Sequence, residues 1–431
     1  MHGTVHPKEM EELAVPHCSA IVEANASVVQ SALRVGREGV CERDQAIRKA
    51  VHGLVLELMV YTVKKGLNSR LNEATQLCIE ECALAFSEEL GDCSEFKSVG
   101  ALEAFCGIAH RAASRILVGD RLCRDSSFKA ASYSYFSGHG ITGGILLYLP
   151  LGPLRNVLAT PLSYFQRVRQ RRVLSIVADE FQRRISSNVV SNVDAIDWTL
   201  DMLKEVPGKP EEPLPLFQMS HEVVHILGAS HAPVGMAITQ LMWHMILRPA
   251  DLAALRTEAE DAVAKVGFTE RMVEFLPLQD SFIQETNRLY PNNLVSVQRV
   301  ITGEPFVFQD GLKLPAGTRL AFPTGPHLRD PDVFDNPNEF DGYRFVKLTE
   351  DGVKRWAASH AHQHNLVFGY GNHVCPGRFF AVRLIKVIFT KLIMEYDILS
   401  DWKGGGVPPS FHVEGSIFPH TRARILLRKR V

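Results

Sequence analysis

Cys375 has the most reactive surroundings in this sequence. It lies in FGYGNHVCPGRFFAVRL (368–384), where Gly369, Gly371 and Gly377 punctuate a loop that runs into an apolar helical pattern. Glycines let such a backbone turn tightly and come close to something flat and bulky. The loop N–H groups and the helix N-terminus favour a thiolate over a thiol. A thiolate held this way is one of the few axial ligands that proteins give to haem iron. The other seven cysteines, Cys18, Cys41, Cys78, Cys82, Cys93, Cys106 and Cys123, crowd the first third of the chain. They read as reduced core residues, and none has the spacing of a zinc site.

The whole pattern F-x-x-G-x-H-x-C-x-G-R is present as Phe368, Gly371, His373, Cys375, Gly377 and Arg378. In these residues the chain resembles the cytochrome P-450 superfamily, from about residue 55 to the end. LVGDRLCRD (117–125), LRPADLAALRTE (247–258) and LVSVQRVITGEPF (294–306) look like its fungal membrane-bound branch. The resemblance implies haem b with Cys375 as ligand to the iron, Phe368 shielding the sulfur and His373 near a propionate. Arg378 braces a propionate or the loop, and Arg299, His327, Lys64 and Lys65 are candidates to neutralise the propionates. QETNRLYP (284–291) carries Glu285 and Arg288 one helical turn apart, ordinarily a surface pair of little consequence. In the family such a pair joins an arginine from the loop before the cysteine, a part that Arg344 fits.

The distal helix departs from the family. An acid followed by a threonine is usual there, whereas GASHAPV (228–234) offers Ala232 and Pro233, or His231 and Ala232. Proline lacks an N–H and crowds the preceding turn, so the helix is expected to kink or open near Ala229. His231 is a candidate proton donor, since its unperturbed pKa is about 6.5. On the family analogy His225, Leu227, Gly228, Ala229 and His231 face the haem, with Val295, Ser296 and Phe418 near a lipophilic substrate. The resemblance implies a monooxygenase that inserts one O2 oxygen into a terpenoid, steroid-like or polyketide skeleton in secondary-metabolite biosynthesis. It draws electrons from NADPH through NADPH-cytochrome P-450 reductase. Lys386, Arg383 and Arg378 could face that partner. The alternatives are a rearrangement that needs no O2 activation, and a haem sensor.

The elements that must position these groups are mostly helical, with a small β region. Periodic apolar residues mark helices at 74–90, 103–119, 162–186, 216–249, 251–265, 270–290 and 377–397. Strand-like residues fill 293–322, with turns at 309–311 and 315–317, and a β-like tail ends the chain. A Gly/Pro-rich apolar stretch at 137–161, a loop at 206–215 and a long ordered loop at 325–345 connect them.

The 431 residues are 46% hydrophobic, enough for one large enzyme domain, and are read as a single haem-thiolate domain spanning 1–431. The 47 Lys+Arg against 48 Asp+Glu leave a net charge of −1, with no basic surplus pointing to nucleic acid. The family branch begins with an anchor helix and resides in the endoplasmic reticulum membrane. MHGTVHPKEMEEL lacks such an anchor, so the N-terminus reads as truncated and the chain as soluble or peripheral. GILLYLPLGPL (144–154) is too short to span a bilayer and could touch its surface.

Overall fold

The computed structural model describes residues 60–148, 154–187, 193–205, 216–349, 357–413 and 415–430. In chain order a π-helical turn Thr62–Leu67 precedes α1 (Leu71–Leu90), β1 (Lys97–Gly100), α2 (Ala101–Leu117), α3 (Gly119–Cys123) and α4 (Ser126–Tyr148). Then come α5 (Leu154–Ser187), α6 (Ala195–Glu205), α7 (Leu216–Ile246), α8 (Pro249–Val266), a 3-10 turn Glu270–Phe275 and α9 (Pro277–Leu289). Short strands follow: β2 (Ser296–Val300), β3 (Phe306–Val307), β4 (Lys313–Leu314) and β5 (Arg319–Phe322). Next are α10 (Thr324–His327), α11 (Arg344–Thr349) and α12 (Arg378–Glu395). The last strands are β6 (Tyr396–Ser400), β7 (Phe411–Val413), β8 (Ser416–Phe418) and β9 (Arg424–Lys429). The mainly α class with a small β region is therefore observed.

Two compact units emerge. Among the described residues one comprises 71–112 and 230–430, the other 60–70 and 113–229. In the first, α12 forms the core with Leu384, Ile385, Val387, Ile388, Phe389, Leu392 and Ile393, all buried. Arg256 of α8 closes its C-terminal end, donating from Nε to the Ile393 carbonyl (2.8 Å) and from Nη2 to that of Tyr396 (2.9 Å). These satisfy carbonyls that a helix end leaves without partners. A three-stranded antiparallel sheet runs β1-β9-β6, with Lys97 opposite Leu427 and Ile398 opposite the same residue. Alternation sends Ile425 and Leu427 of β9 into the core and leaves Arg424 exposed.

In the second unit a buried ionic cluster sets the geometry. Arg184 of α5 reaches Glu180 (2.9 Å), Asp194 (2.7 Å) and Asp197 (2.8 Å). Gly119 adopts φ +80° directly against the Arg184 and Asp194 side chains, a place with no room for a Cβ.

Several boundaries differ from the sequence expectation. The glycine-rich stretch does not stay irregular: α4 continues to Tyr148, and α5 begins at Leu154 rather than 162. Gly138 explains part of this, because Gln166 and Arg169 of α5 occupy the space where its side chain would stand. The helix expected at 270–290 is divided before Pro277, whose ring suits a first helical position and whose missing N–H cannot continue the 3-10 turn. The loop expected at 325–345 contains the end of α10 and the start of α11. The 1–59 segment, the side chains of the apolar 144–153 patch and the loop at 206–215 lie outside the described residues.

Candidate active site

The loop before α12 closes on itself through the Cys375 N–H, which donates to the Phe368 carbonyl at 2.8 Å. Gly369 (φ +77°) and Gly371 (φ +70°) occupy left-handed backbone that a side chain would strain, which accounts for two of the three glycines. Gly377 is different. Its φ of −85° suits any residue, and a Cβ there would meet no atom within 4 Å, so it keeps one side of the loop open. The backbone N–H groups of Gly377 and Arg378 donate to the Cys375 sulfur. Burial pushes the thiol up, while those two N–H groups and the Arg378 charge pull it down without overcoming the burial.

Arg378 braces the loop, as one of its two expected roles required. Its Nη1 donates to the Cys375 carbonyl (2.9 Å), its Nε to that of Ser359 (3.0 Å), and its guanidinium lies 4.1 Å from the Phe379 ring centroid. Phe368 is half-buried, and His373 is exposed at the end of a 3-10 turn, Gly371–His373. Arg299 is the propionate candidate that the fold brings to this loop: buried on β2, it donates from Nη2 to the Tyr370 carbonyl at 3.3 Å. His327 instead spends its Nε2 on the Gln363 carbonyl (2.7 Å) and packs edge-on against Phe322. Lys64 and Lys65 are exposed on the π-helical turn of the other unit.

Glu285, Arg288 and Arg344 meet in one buried cluster. Glu285 accepts from Arg288 Nε (2.7 Å) and Nη2 (2.8 Å), from Arg344 Nε (3.1 Å) and from the Asp341 N–H (3.0 Å). The two guanidiniums also tie down the backbone: Arg288 Nη1 reaches the carbonyls of Leu328 (2.8 Å) and Pro337 (2.6 Å), and Arg344 Nη1 that of Asp335 (2.6 Å). A buried carboxylate shared by two arginines thereby fixes α9, the 328–341 segment and α11 around one point.

α7 runs unbroken from Leu216 to Ile246 through Pro233, so the proline does not end the helix. Proline has no N–H, and the Ala229 carbonyl therefore loses its i+4 donor. His225 and Ala229 are exposed, with Ala232 and Pro233 half-buried on the same side, whereas Leu227 is wholly buried and turns away. His231 is also buried, and its ring stands edge-on to His110 of α2 at 5.2 Å. That contact, rather than an open face, is where the geometry places the candidate proton donor. Val295 and Phe418 remain accessible, and hydrogen bonds from Leu294 N–H to Gly415 and from Ile417 N–H to Asn292 hold their segments together.

Lys386 does not present charge to a partner. It is buried in α12, 2.6 Å from Asp280 of α9 and 3.3 Å from the Val273 carbonyl. Arg383 is half-buried beside Asn72 (2.8 Å). Asp280, which also accepts from the Ala358 N–H (2.7 Å), was missed from the sequence. Ser281 was missed as well: its hydroxyl donates to the Gly342 carbonyl and accepts from Phe345 N–H at the start of α11. A lysine inside the apolar run LIKVIF was the available signal that a buried acid must lie opposite.

Comparison with known proteins agrees with this geometry. The family described as Cytochrome P450 matches residues 75–427. Cytochrome P450 monooxygenase sirB of Leptosphaeria maculans is 34% identical, over 87% of this chain and 73% of its own length. Cytochrome P450 monooxygenase paxP of Penicillium paxilli is 28% identical (86% and 72% covered), and ent-kaurene oxidase of Gibberella intermedia 27% identical (87% and 71%). A solved structure, retinoic acid bound cyanobacterial CYP120A1, superposes with a TM-score of 0.66 at 19% identity, covering 85% of this chain and 78% of that one.

Proposed function

This chain belongs to the cytochrome P450 family, and on that premise we propose that Cys375 is the residue through which it holds its haem iron. The protein is an oxidoreductase of the monooxygenase class, with a haem iron cofactor, a redox partner, molecular oxygen and a lipophilic substrate. The loop suits the group. Two backbone N–H groups meet the sulfur, space lies open beside Gly377, and Arg299 stands buried next to Tyr370 as a cation for a propionate. His373 and Arg378 are the further propionate candidates, while His327, Lys64 and Lys65 have less support. When bound, the haem supplies the reductive activation of O2 that puts one oxygen atom into substrate.

The remaining work falls to the chain. Gly377 and Arg378 N–H groups favour charge on the sulfur against its burial, and Arg378 keeps the loop shut on Ser359. Glu285, Arg288 and Arg344 keep α9 and the 328–341 segment rigid without touching substrate. On α7 we assign proton handling to water held by the Ala229 carbonyl, which Pro233 leaves without its helical donor, rather than to His231. Val295 and Phe418 offer apolar surface to a terpenoid, steroid-like or polyketide skeleton of secondary metabolism. NADPH-cytochrome P-450 reductase at the endoplasmic reticulum is the proposed electron donor, with the chain acting as one catalytic domain. Among the described residues no helix is long and apolar enough to cross a membrane.

The observation that carries the assignment is the pair of N–H groups on the Cys375 sulfur. Purified holoprotein, reduced under carbon monoxide, should give the thiolate-haem difference band, and Cys375→Ser should remove it. An unchanged band would sink the assignment. With substrate, NADPH and reductase under labelled O2, one labelled oxygen should enter the product; an unlabelled product would point to rearrangement instead.

A further inference from the structure

Where α7 ends and α8 begins, a cavity of about 410 Å³ is lined by His244, Arg248, Leu289, Tyr290, Arg329, Asn338, Glu339 and Phe340. None of these residues belongs to the cysteine loop. Arg248 lies over the Phe340 ring (4.8 Å to the centroid), and its Nη1 donates to His244 Nδ1 at 3.1 Å. Arg329 donates from Nη2 to the Leu289 carbonyl. Neither guanidinium has a carboxylate partner among the described residues, although both are half-buried. Burial and the neighbouring Arg288 push the Arg329 guanidinium down, as expected of a cation with no counter-ion.

His244 supplies the second observation. It is 5% exposed, stacks on Phe340 at 4.1 Å, and its Nε2 is enclosed with no hydrogen-bond partner. Because Nδ1 accepts from Arg248, the ring proton sits on Nε2, so the buried donor has no acceptor. Burial and Arg248 hold this imidazole down to about 3, so it is neutral. Among the described residues the only acid on the cavity wall is Glu339; its carbonyl already accepts from Arg288 (3.2 Å) and Arg344 (3.3 Å), and its side chain is exposed. Two positive charges therefore face one negative charge at the rim.

We propose that this cavity binds a phosphate-class oxyanion, with Arg248 and Arg329 as its cations, Tyr290 as a neutral donor and His244 orienting Arg248 through Nδ1. Guanidinium groups match phosphate oxygens in charge and geometry, and the volume admits free phosphate or the head of a small ester. The ligand joins the start of α8, the end of α9 and the segment at 338–340, whose backbone also serves the Glu285 cluster. Its occupancy stabilises that cluster from the side away from Glu285's own carboxylate contacts.

The test is a titration of haem-loaded protein with potassium phosphate, against potassium chloride at matched ionic strength. Melting temperature and phosphorus NMR linewidth are read together. Phosphate should raise the melting temperature saturably where chloride does not, and Arg329→Gln should weaken half-saturation by about tenfold or more, as loss of a charge-assisted contact requires. Arg248→Gln should act in the same direction; if either variant fails to fold, Tyr290→Phe should still weaken binding severalfold. No saturable response, or variants that respond like the wild type, would overturn the site. Glycerol phosphate as competitor identifies the source: displacement supports an ester ligand, and its failure alongside saturable phosphate binding supports the free ion.

Discussion

Glu285 holds two buried arginines at once. Removing it leaves Arg288 and Arg344 buried and uncompensated, which costs about 3–5 kcal/mol for a broken buried pair. Glu285→Ala should therefore lower the urea midpoint of the holoprotein severely and release haem. Lys347→Ala, which breaks an exposed pair with Asp341 (3.1 Å), should stay within about 0.5 kcal/mol of wild type in the same measurement. At this scale the sequence was most legible where residue type and spacing both matter. E-x-x-R places Glu285 and Arg288 one helical turn apart, while the third member Arg344 was legible only through the family resemblance. Lys386 was misread because its partner Asp280 lies on another helix, and no local spacing announces that approach. Leu227 and His231 were misplaced for a related reason: a helix that is apolar on nearly all sides does not disclose which side is open.

At the scale of elements, α7 carries two features with opposite consequences. Gly235 lets the helix come against α2, where a Cβ would sit 2.7 Å from Cys106 Cα and 2.8 Å from its N. Backbone cannot yield as a side chain tip can, so Gly235→Ala should cost roughly 1–3 kcal/mol, read as a fall in melting temperature. Pro233 works the other way. Pro233→Ala returns an N–H to the Ala229 carbonyl and should stabilise the helix, by up to about 3 kcal/mol. If that carbonyl holds the proton-delivering water, the same variant should lose turnover and uncouple NADPH consumption from product; retained coupling would reject the role. Helix existence was readable from periodicity, but the second half of α4, from 137 on, was not, since its glycines argue locally for a loop. Its close approach to α5 at Gly138 is a tertiary fact that outweighs the local preference.

For the whole molecule, near-neutral net charge leaves specific buried clusters in control of pH dependence. Burial alone would raise Glu180, but hydrogen bonds from Arg183, Arg184 and Arg121 prevail and hold it at about 2, below its ordinary 4.5. A depressed carboxylate contributes stability that is complete above 4.5 and is lost as the pH falls towards 2. The contribution is on the order of 3 kcal/mol. Acid denaturation followed by circular dichroism should steepen in that window, and Glu180→Gln should flatten it while lowering stability at neutral pH. The order of strands β1-β9-β6 has a consequence for biosynthesis. Strands β1 and β6 meet only through β9, which leaves the ribosome after both. Each waits during translation with its hydrogen-bonding edge bare, a site where chaperones would be expected to engage the nascent chain. A stop codon just upstream of Arg424 would deprive two strands of their shared partner at once.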